Sequence, residues 1–186
     1  MQLLLLSGAI GSGKSSVATR LVTRFEFERI RSGKYLAELA AGTGLDVSRS
    51  GLQQLGDRLD VETDYRWVVD DVAGPQIEQS GSSRSYVFDS VRKRQQVSLF
   101  RKSFGSSVSL TFLFAEDAVQ QARYESRQEQ QGHYLDGPSY FEATQHPNEI
   151  AARGLRDLAD QTIDVQSKST EEICAAILLF LSGKRD

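Results

Sequence analysis

An apolar run, Leu3 to Leu6, stops at Ser7 and Gly8, the pattern of a short strand buried on both faces of a parallel sheet. After a glycine-rich turn, Val17, Leu21 and Phe25 recur every four residues, with Arg20, Thr23 and Arg24 between them. That period predicts an amphipathic helix. Residues 27 to 30 supply a second strand, and Tyr35, Leu36, Leu39 and Ala40 mark a helix closed by Gly42 and Gly44. From Arg49 to Gln79 the pattern is helical but broken, with Gly51 and Gly56 inside it and a Gly74-Pro75 pair that should stop or kink the last helix. The polar stretch SGSSRS at 80 to 85 reads as a surface loop. Tyr86-Val87-Phe88 then closes on Asp89, and Val108 to Phe114 places Val108, Leu110, Phe112 and Phe114 on one face and Leu113 on the other. Both are strands. A fifth, Thr162 to Val165, precedes a helix from Thr170 to Leu181 whose start has a Ser/Thr and Glu pattern suited to an N-cap. Strands alternating with helices predict an α/β domain around a parallel sheet of about five strands.

The chain has 186 residues, a single domain's length. Its 22 basic residues are outnumbered by 25 acidic ones, for a net charge of −3, so no global field advertises a polyanionic partner. The lone cysteine, Cys174, lies among apolar neighbours as a buried thiol and supports neither a disulfide nor a zinc site. The longest apolar stretch, Ile173 to Leu181, is about half the ~20 residues of a membrane span, and the N-terminal apolar run lacks the basic flank of a signal sequence. The expectation is a cytoplasmic protein with no membrane association.

Between the first strand and its helix lies Gly8-Ala9-Ile10-Gly11-Ser12-Gly13-Lys14-Ser15, which fits GxxxxGK[ST] in the required context. Glycines let the backbone curl so that successive amides face a phosphate, and the helix offers its unpaired first-turn donors to the same charge. Gly8, Gly11, Ser12, Gly13, Lys14, Ser15 and Ser16 are therefore the candidate nucleotide-binding residues, with Lys14 across the β- and γ-phosphates and the Ser15 hydroxyl on Mg²⁺. A nucleoside triphosphate with magnesium is implied, ATP or GTP.

The remaining charged groups select the chemistry. Asp89 closes the third strand at the carboxyl edge of the sheet, where open α/β proteins bind ligands, and suits either Mg²⁺, directly or through water, or a substrate hydroxyl. Arg92 follows three residues later as a phosphate fork, with Lys93 and Arg94 read as solvated helix surface. From Glu116 to Gln131 the chain is almost wholly polar, and Arg123 and Arg127, four apart, share one helix face suited to closing over a phosphate chain. The stretch His133 to Glu149, with His133, Tyr134, Tyr140, Phe141 and His146, reads as a flank of that lid rather than a metal site.

These segments resemble the P-loop kinases of small molecules, the group that includes nucleoside monophosphate kinases and, more distantly, dephospho-coenzyme A kinase. GAIGSGKSSVATRL at 8 to 21 is similar to their phosphate loop, IRSGKYL at 30 to 36 to the start of their acceptor-binding helix, and FDSVR at 88 to 92 to their DGFPR or DGVR segment. AEDAVQQARYESR at 115 to 127 looks like the start of their lid, and ADQTIDVQSKSTEEI at 159 to 173 like their last strand and adenine-side loop. The resemblance implies a three-layer α/β/α fold, strand order 2-3-1-4-5, an acceptor-binding helical insert at about 32 to 80 and a lid at about 116 to 148, all within one domain. It also implies ATP as donor, lid arginines Arg123 and Arg127 on the transferring group, and Asp89 and Arg92 lining the acceptor side. Lys34 and Ala37 stand where the monophosphate kinases carry their usual phosphate clamp, so Arg31 and Arg49 become the candidate substitutes.

Three functions are compatible with these residues. The first is transfer of the γ-phosphoryl of Mg-ATP to a nucleoside or deoxynucleoside monophosphate. The second keeps the chemistry but moves the acceptor to a hydroxyl of another metabolite or of a modified base in DNA, the DNA version motivated by Arg92, Lys93, Arg94, Arg101 and Lys102. The third is a nucleotide-dependent switch or assembly factor.

Overall fold

The computed structural model describes residues 1 to 81, 84 to 131 and 138 to 184, with the side chains of 49 and of 128 to 131 outside the description. His133 and Tyr134 therefore lie outside the described residues. Five parallel strands form one sheet in the order β2-β3-β1-β4-β5: β1 is Gln2–Gly8, β2 Phe27–Arg29, β3 Ser85–Phe88, β4 Val108–Phe114 and β5 Gln161–Asp164. The expected sheet and strand order are thus present.

The β1 leucines explain why this strand is central. Leu3, Leu4, Leu5 and Leu6 are all fully buried, and the two-residue period sends them alternately to two cores. Leu3 and Leu5 join Tyr86, Phe88, Leu110 and Phe112 in one core. Leu4 and Leu6 join Val87, Leu113 and Ile163 in the other. Each buried leucine contributes about 1.5–3 kcal/mol by leaving water, so β1 cannot slip by one residue without exchanging both faces.

Helix α1 (Lys14–Arg24) and the C-terminal helix α9 (Thr170–Gly183) cover the second core, through Val17, Ala18 and Leu21 on α1 and Ile173, Cys174, Ile177 and Leu181 on α9. Phe25, expected on the apolar face of α1, is instead its exposed C-cap, because the helix ends at Arg24 and the chain turns at Glu26 with φ 58°. The Cys174 thiol is fully buried, and burial pushes its pKa up to about 11. Ser169 and Glu172 form a reciprocal capping box at the start of α9.

The first core is covered by α2 (Ser32–Thr43), α3 (Arg49–Glu62), a π-helical segment (Val68–Ala73), α4 (Gly74–Ser80) and α5 (Arg94–Phe104). Gly44, in the left-handed conformation, ends α2, while Gly42 stays inside it. Gly51 and Gly56, expected as breaks, both lie inside α3 for packing reasons: a Cβ on Gly51 would come 2.4 Å from the Asp46 carbonyl oxygen, and Gly56 faces Leu36 and Trp67. Gly74 and Pro75 do not stop the last helix but mark where π-helical geometry gives way to α4. After β4 come α6 (Asp117–Gln131), α7 (Tyr140–Thr144) and α8 (Pro147–Arg153). Among the described residues no helix is long and apolar enough to cross a membrane.

Candidate active site

The loop from Gly8 to Gly13 joins β1 to α1, and its glycines differ in purpose. A Cβ on Gly8 would meet the Leu113 carbonyl oxygen at 2.4 Å, and one on Gly11 the Gln120 carbonyl oxygen at 2.3 Å. These two let β4 and α6 press against the loop. Gly13 has φ +85° and no neighbour within 4 Å of a built Cβ, so it supplies the left-handed turn on the open side. It is also the N-cap of α1, with no side chain capping the helix. The first-turn amides of Lys14, Ser15 and Ser16 thus lack both an intrahelical partner and a side-chain cap. This cradle suits the phosphates of a nucleotide, and the exposed Ser15 hydroxyl suits Mg²⁺.

Lys14 folds over the loop, its Nζ donating to the carbonyls of Gly8 at 2.6 Å and Ala9 at 2.9 Å. Burial lowers its pKa to about 8, and the charges it feels are, in decreasing order, Glu149, Arg92, Asp89 and Arg127. Residues from the turn after β3, from α6 and from α8 therefore act on one ammonium. Ser12 is buried beneath the loop, within 3.5 Å of Lys14 Nζ, and is part of the scaffold.

A cleft of about 1580 Å³ runs over this loop. Arg92, Arg123, Arg127 and Glu149 line it, as do Lys168 and Thr170 beyond the end of β5. Arg123 donates to the Val165 carbonyl at 2.8 Å, which anchors it at the β5 side. Arg127 is exposed along the cleft. The two arginines of one helical face thus lie in the same cleft with different attachments.

Asp89 sits at the carboxyl end of β3 with its side chain 7% exposed, and it accepts two hydrogen bonds from the Arg29 guanidinium, one from Nε at 3.1 Å and one from Nη2. Arg92 is paired with Glu149, whose other carboxylate oxygen accepts the Ile10 amide at 2.9 Å. The backbone amides of Arg92 and Lys93 donate to Gln96 Oε1 at 3.0 and 3.3 Å, so the turn after β3 is fixed by a buried amide. Gln96 Nε2 in turn donates to the buried Asp60 at 3.4 Å, an acid that also accepts Trp67 Nε1 at 2.8 Å. Burial raises the pKa of Asp60 against those hydrogen bonds and the nearby Lys93.

Lys93 is not the solvated surface residue expected: its ammonium lies 3.5 Å from Asp57 and 3.7 Å from Asp60, with only 21% of the side chain exposed. Arg94 pairs with Asp157 and Arg101 with Asp160, so most of the basic cluster after β3 is spent on internal partners. Arg31 does not join the cleft. It lines a separate depression at the β2 edge with Lys34, Tyr35 and Asp71. Arg49 opens α3, its side chain lying outside the described residues.

Sequence reasoning passed over Glu149, Gln96, Asp60 and Asn148. His146-Pro147-Asn148-Glu149 does carry a helix-start signal, proline at the first position with an acid in the first turn. Nothing in it reveals contact with a loop 139 residues earlier. His146 caps α8 by accepting the Asn148 amide at 3.2 Å, and the Gln53 amide nitrogen on α3 lies 2.8 Å from its ring. Asn148 Nδ2 donates to Asp57 at 3.1 Å, whereas Asn148 Oδ1 is the one buried side-chain polar atom without a partner found among the described residues.

No curated protein matches the sequence. Solved structures share the fold at low identity. A gluconokinase from Sinorhizobium meliloti is 19% identical with a TM-score of 0.53, covering 97% of this chain and 91% of its own. A shikimate kinase from Acinetobacter baumannii, solved with shikimate, is 16% identical with a TM-score of 0.59, covering 100% and 96%. That from Aquifex aeolicus is 17% identical with a TM-score of 0.55, covering 99% and 98%. The AAA domain family matches residues 3–146, which span the phosphate loop, the sheet through β4 and the helix bearing Arg123 and Arg127. By that match the chain belongs to the AAA domain family, on a fold it shares with small-molecule kinases.

Proposed function

We propose that the protein is an ATP-dependent phosphotransferase that moves the γ-phosphoryl of Mg-ATP to a small-molecule acceptor. The observation that carries this reading is the convergence of Arg92, Arg127, Asp89 and Glu149 on Lys14 beside a glycine cradle. A binding loop alone needs no second set of charges facing it, whereas transfer between two ligands does. When bound, Mg²⁺ neutralises charge on the phosphate oxygens, and Ser15 and Asp89 are the residues suited to hold it, the latter directly or through water. Lys14 and the loop amides orient the donor, and Arg92 and Arg127 balance charge that spreads onto the transferring group. Asp89, braced by Arg29, keeps a fixed carboxylate at the sheet edge for metal or acceptor.

Two acceptor classes remain, and the geometry favours a hydroxyl-bearing metabolite. Arg29 is committed to Asp89, and Arg31 lies in the other depression, so the two arginines at the end of β2 offer no free phosphate clamp in the cleft. The named activities of the gluconokinase and shikimate kinase agree with this class. The resemblance of the lid and FDSVR segments supports a nucleoside monophosphate instead, with Arg92 as the cation for its phosphate.

Incubation with γ-labelled ATP and Mg²⁺ against sugar acids, polyols, cyclic hydroxy acids and nucleoside monophosphates separates the classes. A phosphorylated hydroxyl compound is the expected product. A nucleoside diphosphate would reverse the order of acceptors, and ATP turnover indifferent to every acceptor would favour a switch.

A further inference from the structure

Glu149 is a buried carboxylate lying directly on a phosphate-binding loop. One oxygen accepts the Ile10 amide at 2.9 Å and the other accepts the Arg92 guanidinium. A loop amide and an arginine fork are the donors that phosphoryl oxygens seek. The same carboxylate is the strongest charge influence on Lys14. Its helix is tied down independently, by Gln53 on His146 and by Asp57 on Asn148, so α8 does not depend on the Ile10 contact for its place.

We propose that Glu149 is a positioning residue that holds Arg92 against the phosphate loop and competes with the terminal phosphoryl of a bound triphosphate for the same donors. This inference rests on the reading of the loop as a nucleoside triphosphate site. A carboxylate and a terminal phosphoryl, both negative, repel each other when they share one loop amide and one guanidinium. Arrival of the phosphoryl displaces Glu149 and transfers Arg92, already in place, from carboxylate to phosphoryl. A diphosphate has no γ-phosphoryl and leaves the Glu149 contact intact. The carboxylate thus sets the ratio of triphosphate to diphosphate affinity, by weakening the grip on the triphosphate alone.

The test is equilibrium binding of Mg-β,γ-imido-ATP and Mg-ADP to the full-length protein and to Glu149→Gln, which keeps an oxygen for the Ile10 amide but removes the charge. The variant should bind the triphosphate analogue about tenfold tighter and ADP within about twofold of wild type. In turnover, kcat should fall while KM for ATP falls with it, a split that a purely structural tie does not produce. Glu149→Asp, which keeps the charge but draws it back from Ile10, should move the triphosphate-to-diphosphate ratio in the same direction by less, and serves if the glutamine variant fails to fold. An unchanged ratio in a folded variant overturns the role of Glu149 and leaves the nucleotide reading standing. Failure of wild type to bind either nucleotide overturns both.

Discussion

Lys14 carries the sharpest consequence at the scale of single residues. Its pKa is lowered to about 8 because the ammonium is buried, while the same group in the unfolded chain titrates near 10.5. Between those values the unfolded chain binds more protons, so this group's contribution makes folding stability rise with pH from about 8 to 10.5 and stay level below 8. Nucleotide binding has the opposite slope. A triphosphate beside Lys14 favours the charged ammonium, so binding above pH 8 takes up a proton and affinity declines as pH rises through about 8. Calorimetry at pH 7 and pH 9, in buffers of different ionisation enthalpy, should detect proton uptake only at the higher pH, and equal uptake at both would contradict the assignment. Lys14 was legible from its motif alone, whereas Glu149 was not, since its partners Ile10 and Arg92 are joined to it only by folding. Lys93 illustrates the same limit: its neighbours in sequence are polar, and the acids that bury it come from α3.

Between residue and fold, the elements divide the loop glycines into two kinds with separable effects. Gly11→Ala forces a methyl to within 2.3 Å of the Gln120 backbone, and backbone cannot swing aside. Loss of stability by about 3 kcal/mol or more is expected, seen as a lowered denaturant midpoint. Gly13→Ala meets no atom and incurs only the left-handed penalty, about 1–2 kcal/mol. It should fold, yet bind nucleotide poorly because relaxing φ turns the cradle amides away. Comparable destabilisation in both variants would contradict the division. At the far end of the cleft, Ser169→Ala removes the cap that accepts the Glu172 amide and should cost about 1 kcal/mol in urea unfolding with activity retained. The strands and the α9 cap were readable because each depends on local period and capping chemistry. The α3 glycines misled for a tertiary reason, the close approach of Asp46, Leu36 and Trp67, which no local rule contains.

For the whole molecule, parallel order β2-β3-β1-β4-β5 brings the ends of β1 and β3 side by side, so that the Asp89 carboxylate acts on the Lys14 ammonium from 75 positions further along the chain. The fold class followed from alternation of strands and helices, and the strand order from resemblance to P-loop kinases. The arrangement of charges followed from neither. Internal pairing of Arg92, Lys93, Arg94 and Arg101, with a net charge of −3, leaves little surface for a nucleic-acid backbone. Binding to duplex DNA should accordingly be weak at physiological salt, which a fluorescence anisotropy titration checks. The central claim, γ-phosphoryl transfer across the Lys14 cleft to a small acceptor, is tested most directly by acceptor-dependent ADP formation from Mg-ATP in wild type and Lys14→Ala. The account predicts turnover that requires a hydroxyl acceptor and falls at least about a hundredfold in the variant. Equal turnover by wild type and variant, or ADP formation that ignores every acceptor, would contradict it.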